Sequence, residues 1–367
     1  MRHRWFVASF VFALTGCVNA TSTPAVPNGP TPPASGSAVS SAVDPWSLRG
    51  VERLVNDARR LEPFVQNDQV KLFLQRASLL PKITPRKLFV RPDKTKYFTE
   101  AQAQNEPVEV RSTLVPYDVD EDKYYNTNYG SPLSYSRPLD ILFAHGLKLP
   151  AGSKVLDFGY GYVGHLRLLA TMGMQSTGVD VWPLLPALYS FPGDQGPVDG
   201  PKGERGSIRL IDGRFPADAQ IVANVGSGYR LVISKNVLKK GYIHPDRPVE
   251  NKKVLIDLGA PDDVVLKSFY DALEPGGFFL VYNICPALTP PDKPFVPWSD
   301  GRSPFTKEQI EKAGFEVVEF DRDDTDAVRK MGKLLGWDQP EDGEPGMDLE
   351  RDLSVLYTLM RKPATAR

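Results

Sequence analysis

Lys154-Val155-Leu156-Asp157-Phe158 runs directly into Gly159-Tyr160-Gly161-Tyr162-Val163-Gly164, after which His165, Leu166, Leu168, Leu169 and Met172 recur at helical spacing up to Gly173. This is a short strand, a glycine-rich turn and a helix. No other stretch of the sequence restricts the fold as tightly. The glycines allow backbone to come close to a ligand, and the first N–H groups of the helix lack intrahelical partners. In open α/β sheets ligands bind at the carboxyl ends of the strands.

Read literally, the spacing is G-x-G-x-x-G, and the next acid at a strand end, Asp180, follows 21 residues after Gly159. Both match the dinucleotide fingerprint, so an NAD-type oxidoreductase stands as one reading. Asp157 weighs against it. A carboxylate two residues before the first glycine would repel a pyrophosphate and attract an ammonium.

The string VLDFGYG resembles motif I of class I S-adenosylmethionine-dependent methyltransferases, and Leu273-Glu274-Pro275-Gly276-Gly277, ahead of the apolar Phe278–Tyr282, resembles the turn before their fifth strand. Ser176–Val181, Ser207–Ile211 and Tyr229–Ser234 read as strands two, three and four, with a helix over residues 261–273. Two closing strand-like runs, Phe315–Phe320 and Leu353–Met360, resemble the last pair of that fold. The likeness covers residues 124–361. It implies a doubly wound, mostly parallel seven-stranded sheet with an antiparallel last strand, preceded by an N-terminal helical extension. It also implies S-adenosylmethionine as cofactor. Asp157, Gly159 and Gly161 would lie along its amino-acid part, Asp180 at the ribose, and Asp212 and Gly213 at the adenine. The pattern departs in the Pro- and Gly-rich Phe191–Gly206, read as a loop insertion, and at Pro183 and Pro186, which weaken the helix expected after Asp180.

The acceptor side is less defined. After strand four, His244 is the candidate base, since an imidazole titrates near neutrality, and Tyr242 and Asn236 are candidates for orienting a substrate. The competing reading has Lys235, Lys239 and Lys240 solvated and His244 capping a helix before Pro245. After strand five, Trp298 and Arg302 are candidate substrate contacts in a Pro-rich loop; the alternative is packing of Trp298 over the sheet edge. Tyr129 and Tyr135, in an aromatic stretch before the first strand, are candidates for touching cofactor or substrate. Cys285 reads as a buried thiol, and Asp321, Asp323 and Asp324 as a solvated acidic turn. No metal site is expected.

Charge separates the first 43 residues from the rest. They hold no Asp or Glu, while the whole chain carries 44 Lys+Arg against 45 Asp+Glu. That balance excludes a broad phosphate-tracking surface, so no nucleic-acid partner is expected. Arg2, His3 and Arg4 precede the 12-residue apolar run Trp5–Gly16, which has the length of a signal-peptide core and is too short to span a bilayer. Leu14-Thr15-Gly16-Cys17 resembles a bacterial lipobox, which implies lipidation at Cys17 and a membrane anchor; ordinary cleavage after Ala20 is the alternative. The expected division is a signal at 1–16, a tether at 17–43 too poor in apolar residues to fold, a helical or irregular extension at 44–123, and a Rossmann-like domain at 124–367. The expected function is methyl transfer from S-adenosylmethionine to an unidentified acceptor by an envelope-anchored protein. The alternatives are a catalytically silent binding module on the same fold and a dinucleotide oxidoreductase.

Overall fold

The computed structural model describes residues 44–126, 130–340 and 345–364. The signal, Cys17, the tether and Tyr129 lie outside the described residues.

The extension is only partly helical. Helices α1 (Gly50–Leu61) and α2 (Asp68–Gln75) lead into strands β1 (Arg86–Val90) and β2 (Tyr97–Thr99), short helices α3 (Glu100–Gln104) and α4 (Val108–Arg111), strand β3 (Val115–Val119) and helix α5 (Glu121–Tyr125). The three strands form an antiparallel sheet in the order β2-β1-β3. Pro85, Pro92 and Pro107 punctuate this stretch in sequence, but all three stand outside the strands, where the missing N–H costs no ladder bond.

Helix α6 (Ser136–Ala144) brings the chain to the main sheet. Its elements are β4 (Lys154–Phe158), α7 (Gly164–Thr171), β5 (Gln175–Asp180), α8 (Leu185–Leu188), β6 (Gly196–Asp199), β7 (Arg205–Asp212), α9 (Ala219–Val225) and β8 (Tyr229–Lys235). They continue through α10 (Lys240–Ile243), α11 (Asp262–Ala272), β9 (Leu273–Cys285), α12 (Lys307–Lys312), β10 (Glu316–Asp323), α13 (Thr325–Leu334) and β11 (Ser354–Arg361). The eight strands are ordered β10-β11-β9-β8-β4-β5-β7-β6. β4 lies between β5 and β8, parallel to both, and β11 runs antiparallel between β9 and β10. An antiparallel strand inserted between the fifth and sixth distinguishes this sheet from the 3-2-1-4-5-6 order of dinucleotide folds. The chain has the class I methyltransferase-like fold.

The structure adds an eighth strand to the seven expected. The segment read as a loop insertion folds back as β6, antiparallel to β7, with Pro197 on this outermost strand. The opposite edge strand, β10, pairs with two register shifts, around Glu319.

Alternation along the strands divides the core. Val155, Leu231, Leu280 and Tyr282 face a core shared with Leu54, Leu61 and Phe73 of the extension and Leu142 of α6. Leu156, Val232, Phe279 and Val281 face Val265, Leu266 and Phe269 of α11 and Ile310 of α12. The extension is therefore part of one face of the sheet. A buried polar junction fixes it there. Arg86 of β1 grips Asp194 with two hydrogen bonds of 2.8 Å, the Tyr124 hydroxyl donates to the same carboxylate at 2.9 Å, and Phe191 N donates at 2.9 Å. Removing one partner of such a group leaves an uncompensated buried charge, at a cost of about 3–5 kcal/mol. Asp194→Ala is expected to lower unfolding stability by that amount in urea titration.

Candidate functional site

The parallel strands β4, β5, β7 and β8 end on one side, and the turns leaving them form a single wall. Gly159 takes φ +76°, and a Cβ there would stand 2.4 Å from Cγ2 of Val237, so the turn after β4 and the segment after β8 touch only because this residue is glycine. Asp180, the last residue of β5, binds the turns together. Its Oδ2 accepts from Gly161 N at 2.9 Å, and its Oδ1 accepts from Val181 N at 2.7 Å and Trp182 N at 2.9 Å. The Asp180 carbonyl accepts from Gly213 N at 2.9 Å, at the end of β7. Burial pushes the Asp180 carboxyl up to about 6, against the pull of its three backbone donors.

Above this wall is a cavity of about 730 Å³, within the size range of small-molecule sites. Its floor is Phe158, Gly159, Val179, Asp180 and Val237; one side is Val181, Trp182, Gly213, Arg214 and Phe215. The roof comes from the extension sheet, through Val90, Tyr97, Val115, Pro116 and Tyr117, and the far side from residues 253–258. The lining is mostly apolar and aromatic. Tyr162 meets Trp182 edge-on with ring centroids 5.4 Å apart, and Tyr97 meets Tyr117 in the same way at 5.4 Å.

Directly behind the floor, where β4 and β8 end, is a closed polar cluster. Asp157 is fully buried; its Oδ2 accepts from the Tyr135 hydroxyl at 2.7 Å, and His165 Nε2 stands 2.5 Å from the same oxygen. Oδ1 of Asp157 and Nε2 of His165 have no well-aligned hydrogen-bond partner. The Tyr135 and His165 rings stack at 3.7 Å. Lys235, buried at the end of β8, places its ammonium 5.1 Å from the Tyr135 ring centroid. Burial pushes its pKa down to about 8, against the pull of Asp157.

Of the residues singled out from sequence, Gly159, Asp180 and Gly213 line the cavity. Asp212 precedes Gly213, exposed and in register with Asp180. Asp157 and Gly161 lie behind the wall. The acceptor-side candidates are placed elsewhere. His244 caps α10 and holds Asp262 at 2.9 Å, 47% exposed. Tyr242 is buried and passes its carbonyl to Ile256 N. Asn236 joins β8 to β9, accepting from Ile284 N at 2.7 Å. Arg302 pairs with Asp300 and Asp246, and Trp298 sits in a short 3-10 turn beside that cluster; neither reaches the cavity lining. Lys235 and Lys239 are buried rather than solvated, Lys239 donating to the Ile284 carbonyl at 3.1 Å. Asp324 is likewise buried, paired with Arg137 and the Tyr282 hydroxyl, instead of forming a solvated turn. Among the described residues no group of His, Cys, Asp and Glu is arranged to hold a metal ion.

Sequence reasoning missed the roof and the far side of the cavity. Trp182 was open to view, two residues after Asp180. Tyr97 and Tyr117 carried no periodic signal.

No family model and no curated relative matches the chain. Solved structures do match in shape. They include a putative sarcosine dimethylglycine methyltransferase from Galdieria sulphuraria, at 13% identity over 64% of this chain and 86% of that one, TM-score 0.35. A phosphoethanolamine N-methyltransferase from Haemonchus contortus, in complex with S-adenosyl-L-methionine, matches at 13% identity over 81% and 75%, TM-score 0.36. A cyclopropane synthase from Mycobacterium tuberculosis matches at 15% over 63% and 85%, TM-score 0.36. The strand order, and not these distant matches, carries the fold.

Asp180→Ala would strip three backbone N–H groups of their acceptor. It is expected to cost about 2–4 kcal/mol in chemical denaturation, before any ligand is added.

Proposed function

We propose that the cavity takes S-adenosylmethionine and that the chain transfers its methyl group to an acceptor entering between the extension sheet and residues 253–258. The observation that carries this reading is the cavity's position: it opens over the ends of β4, β5 and β7, with Gly159, Asp180 and Gly213 in its walls.

The residues fit the nucleoside part well. Trp182 and Phe215 offer flat apolar faces for a base, and the Gly213 turn offers backbone at close approach. Asp180 is already engaged by three N–H groups, so its part is to fix the turns and to present the remaining lone pairs to hydroxyls. Asp157, whose buried Oδ1 lacks a partner, stands behind Gly159 in the closed cluster. Bound in the cavity, the cofactor would supply an electrophilic methyl group on a sulfonium. What the chain supplies is orientation and exclusion of water by the aromatic roof.

A second reading, binding without catalysis, is favoured by one observation. His244 and Tyr242, the candidates for deprotonating and orienting an acceptor, stand outside the cavity lining. Isothermal calorimetry on the full chain separates the alternatives at the level of cofactor. S-adenosylhomocysteine is expected to bind and NAD⁺ not to bind. Trp182→Ala is expected to weaken binding about tenfold, the worth of one base–aromatic contact. Absence of heat with S-adenosylhomocysteine would overturn the methyltransferase reading, and heat with NAD⁺ alone would restore the dinucleotide one.

Location enters as a further part of the same proposal. The basic, apolar and Leu-Thr-Gly-Cys sequence at the N-terminus supports export and lipid anchoring at Cys17. Wild-type protein is then expected in the membrane fraction and Cys17→Ser outside it. Identical fractionation of the two would remove the anchor.

A further inference from the structure

The half of the cavity that an acceptor would occupy, between the extension sheet and residues 253–258, is lined mainly by apolar side chains, tyrosine rings and lysines. Methyl transfer to a hydroxyl or an ammonium group needs a base to remove a proton. The polar groups of the lining do not supply one. Tyr97, Tyr117 and Tyr162 are pushed above the ordinary phenol range by burial, so their hydroxyls stay protonated. Asp257 accepts from Gly259 N at 2.8 Å and pairs with Arg214 at 3.3 Å, which hold its carboxyl below the usual carboxylate range and make it a poor base. Asp180 belongs to the floor, with both side-chain oxygens taken by backbone N–H groups. Lys94 and Lys253 are exposed, and an ammonium group donates without accepting. Among the described residues no His, Cys or Glu lines the cavity, and His244 is held by Asp262 outside it.

Charge complementarity points the same way. Arg214 and Asp257 pair with each other, and Asp180 is engaged by backbone. Lys253 stands at the side where an acceptor would enter and forms no ion pair among the described residues.

We propose that this half of the cavity takes an apolar organic anion, a carboxylate or thiolate on an aromatic body, whose ionised atom accepts the methyl group without a protein base. The proposal rests on the S-adenosyl reading of the cavity. In the step, a lone pair of the anion forms the new bond to the methyl carbon, the sulfonium C–S bond breaks with its pair left on sulfur, and no proton is released. One positive and one negative charge disappear. An apolar enclosure favours such a step, because water stabilises the separate charges more than the dispersed charge of the transition state. A lysine at the entrance raises the local concentration of the anion without touching the reacting atoms.

The test titrates 2-naphthoate and its uncharged counterpart 2-naphthylmethanol, by calorimetry at pH 7, into the full chain saturated with one of two ligands. Sinefungin carries a positive amine in place of the methylsulfonium; S-adenosylhomocysteine has a neutral sulfur there. Naphthoate is expected to bind the sinefungin complex about tenfold more tightly than the S-adenosylhomocysteine complex, the effect of one opposite charge at the reacting atom. Naphthylmethanol should bind both complexes alike. Lys253→Met should weaken naphthoate about threefold in both complexes and leave naphthylmethanol unchanged, and Lys253→Arg should restore the wild-type value. Equal naphthoate affinity in the two complexes, naphthylmethanol binding the sinefungin complex as tightly as naphthoate, or no binding of either probe overturns the inference. Naphthoate binding that ignores Lys253→Met overturns the part given to that lysine. If neither sinefungin nor S-adenosylhomocysteine binds, the S-adenosyl reading fails first and the inference with it; if both bind and naphthoate does not distinguish them, only the acceptor class fails.

Discussion

One carboxylate holds the ligand-binding side of this protein in shape. Parallel strands deliver their carboxyl ends to the same side of a sheet, but nothing in the ladder fixes the turns that leave them. Asp180 does so, through three backbone donors on its side chain and one on its carbonyl. These hydrogen bonds join the turns after β4, β5 and β7 to one another. The glycines matter at the same place: Gly159 permits contact with Val237, a contact any side chain would forbid. The cavity is a consequence of these restraints and of the roof laid over them.

That roof depends on charges buried at the junction of extension and sheet. Arg86 and Tyr124 converge on Asp194, while Arg137 of α6 reaches Asp324 at the start of α13, which also accepts from Tyr282 of β9. Each junction satisfies a buried acid with both a guanidinium and a phenol. Such groups stabilise little against an apolar alternative, but they tolerate only one arrangement. The first ties β1 to the segment leading into β6, and the second ties α6 to β9 and to the start of α13.

Much of the sheet was legible because its signals are local. Lys154–Phe158 with its glycine turn, Asp180 at a strand end and the two closing strands each read correctly from short windows, whereas Leu273–Gly277, expected as a turn ahead of the fifth strand, lies within β9. What failed to read was decided by distant partners. β6 looks like a loop, being rich in Pro and Gly, and becomes a strand only because β7 offers an edge. The β1–β3 sheet is hidden by Pro85, Pro92 and Pro107, which flank its strands, and by Pro116 within β3 itself. Lys235 and Lys239 look solvated in sequence; their burial follows from β8 lying in mid-sheet, which no window around them reveals. His244 read as a plausible base by its chemistry alone, and geometry gives its imidazole to Asp262.

The two margins of the large sheet also bear on how this chain behaves at high concentration. An unpaired strand edge is a template on which another chain can dock, and long flat edges invite fibrous association. Here β6 is four residues long and carries Pro197, which has no N–H to donate. At the other margin, β10 breaks register twice around Glu319 and presents charged residues. A strand approaching from either side meets an interrupted row of donors and acceptors. The sheet is thus terminated chemically at both ends, which disfavours edge-to-edge strand pairing between copies.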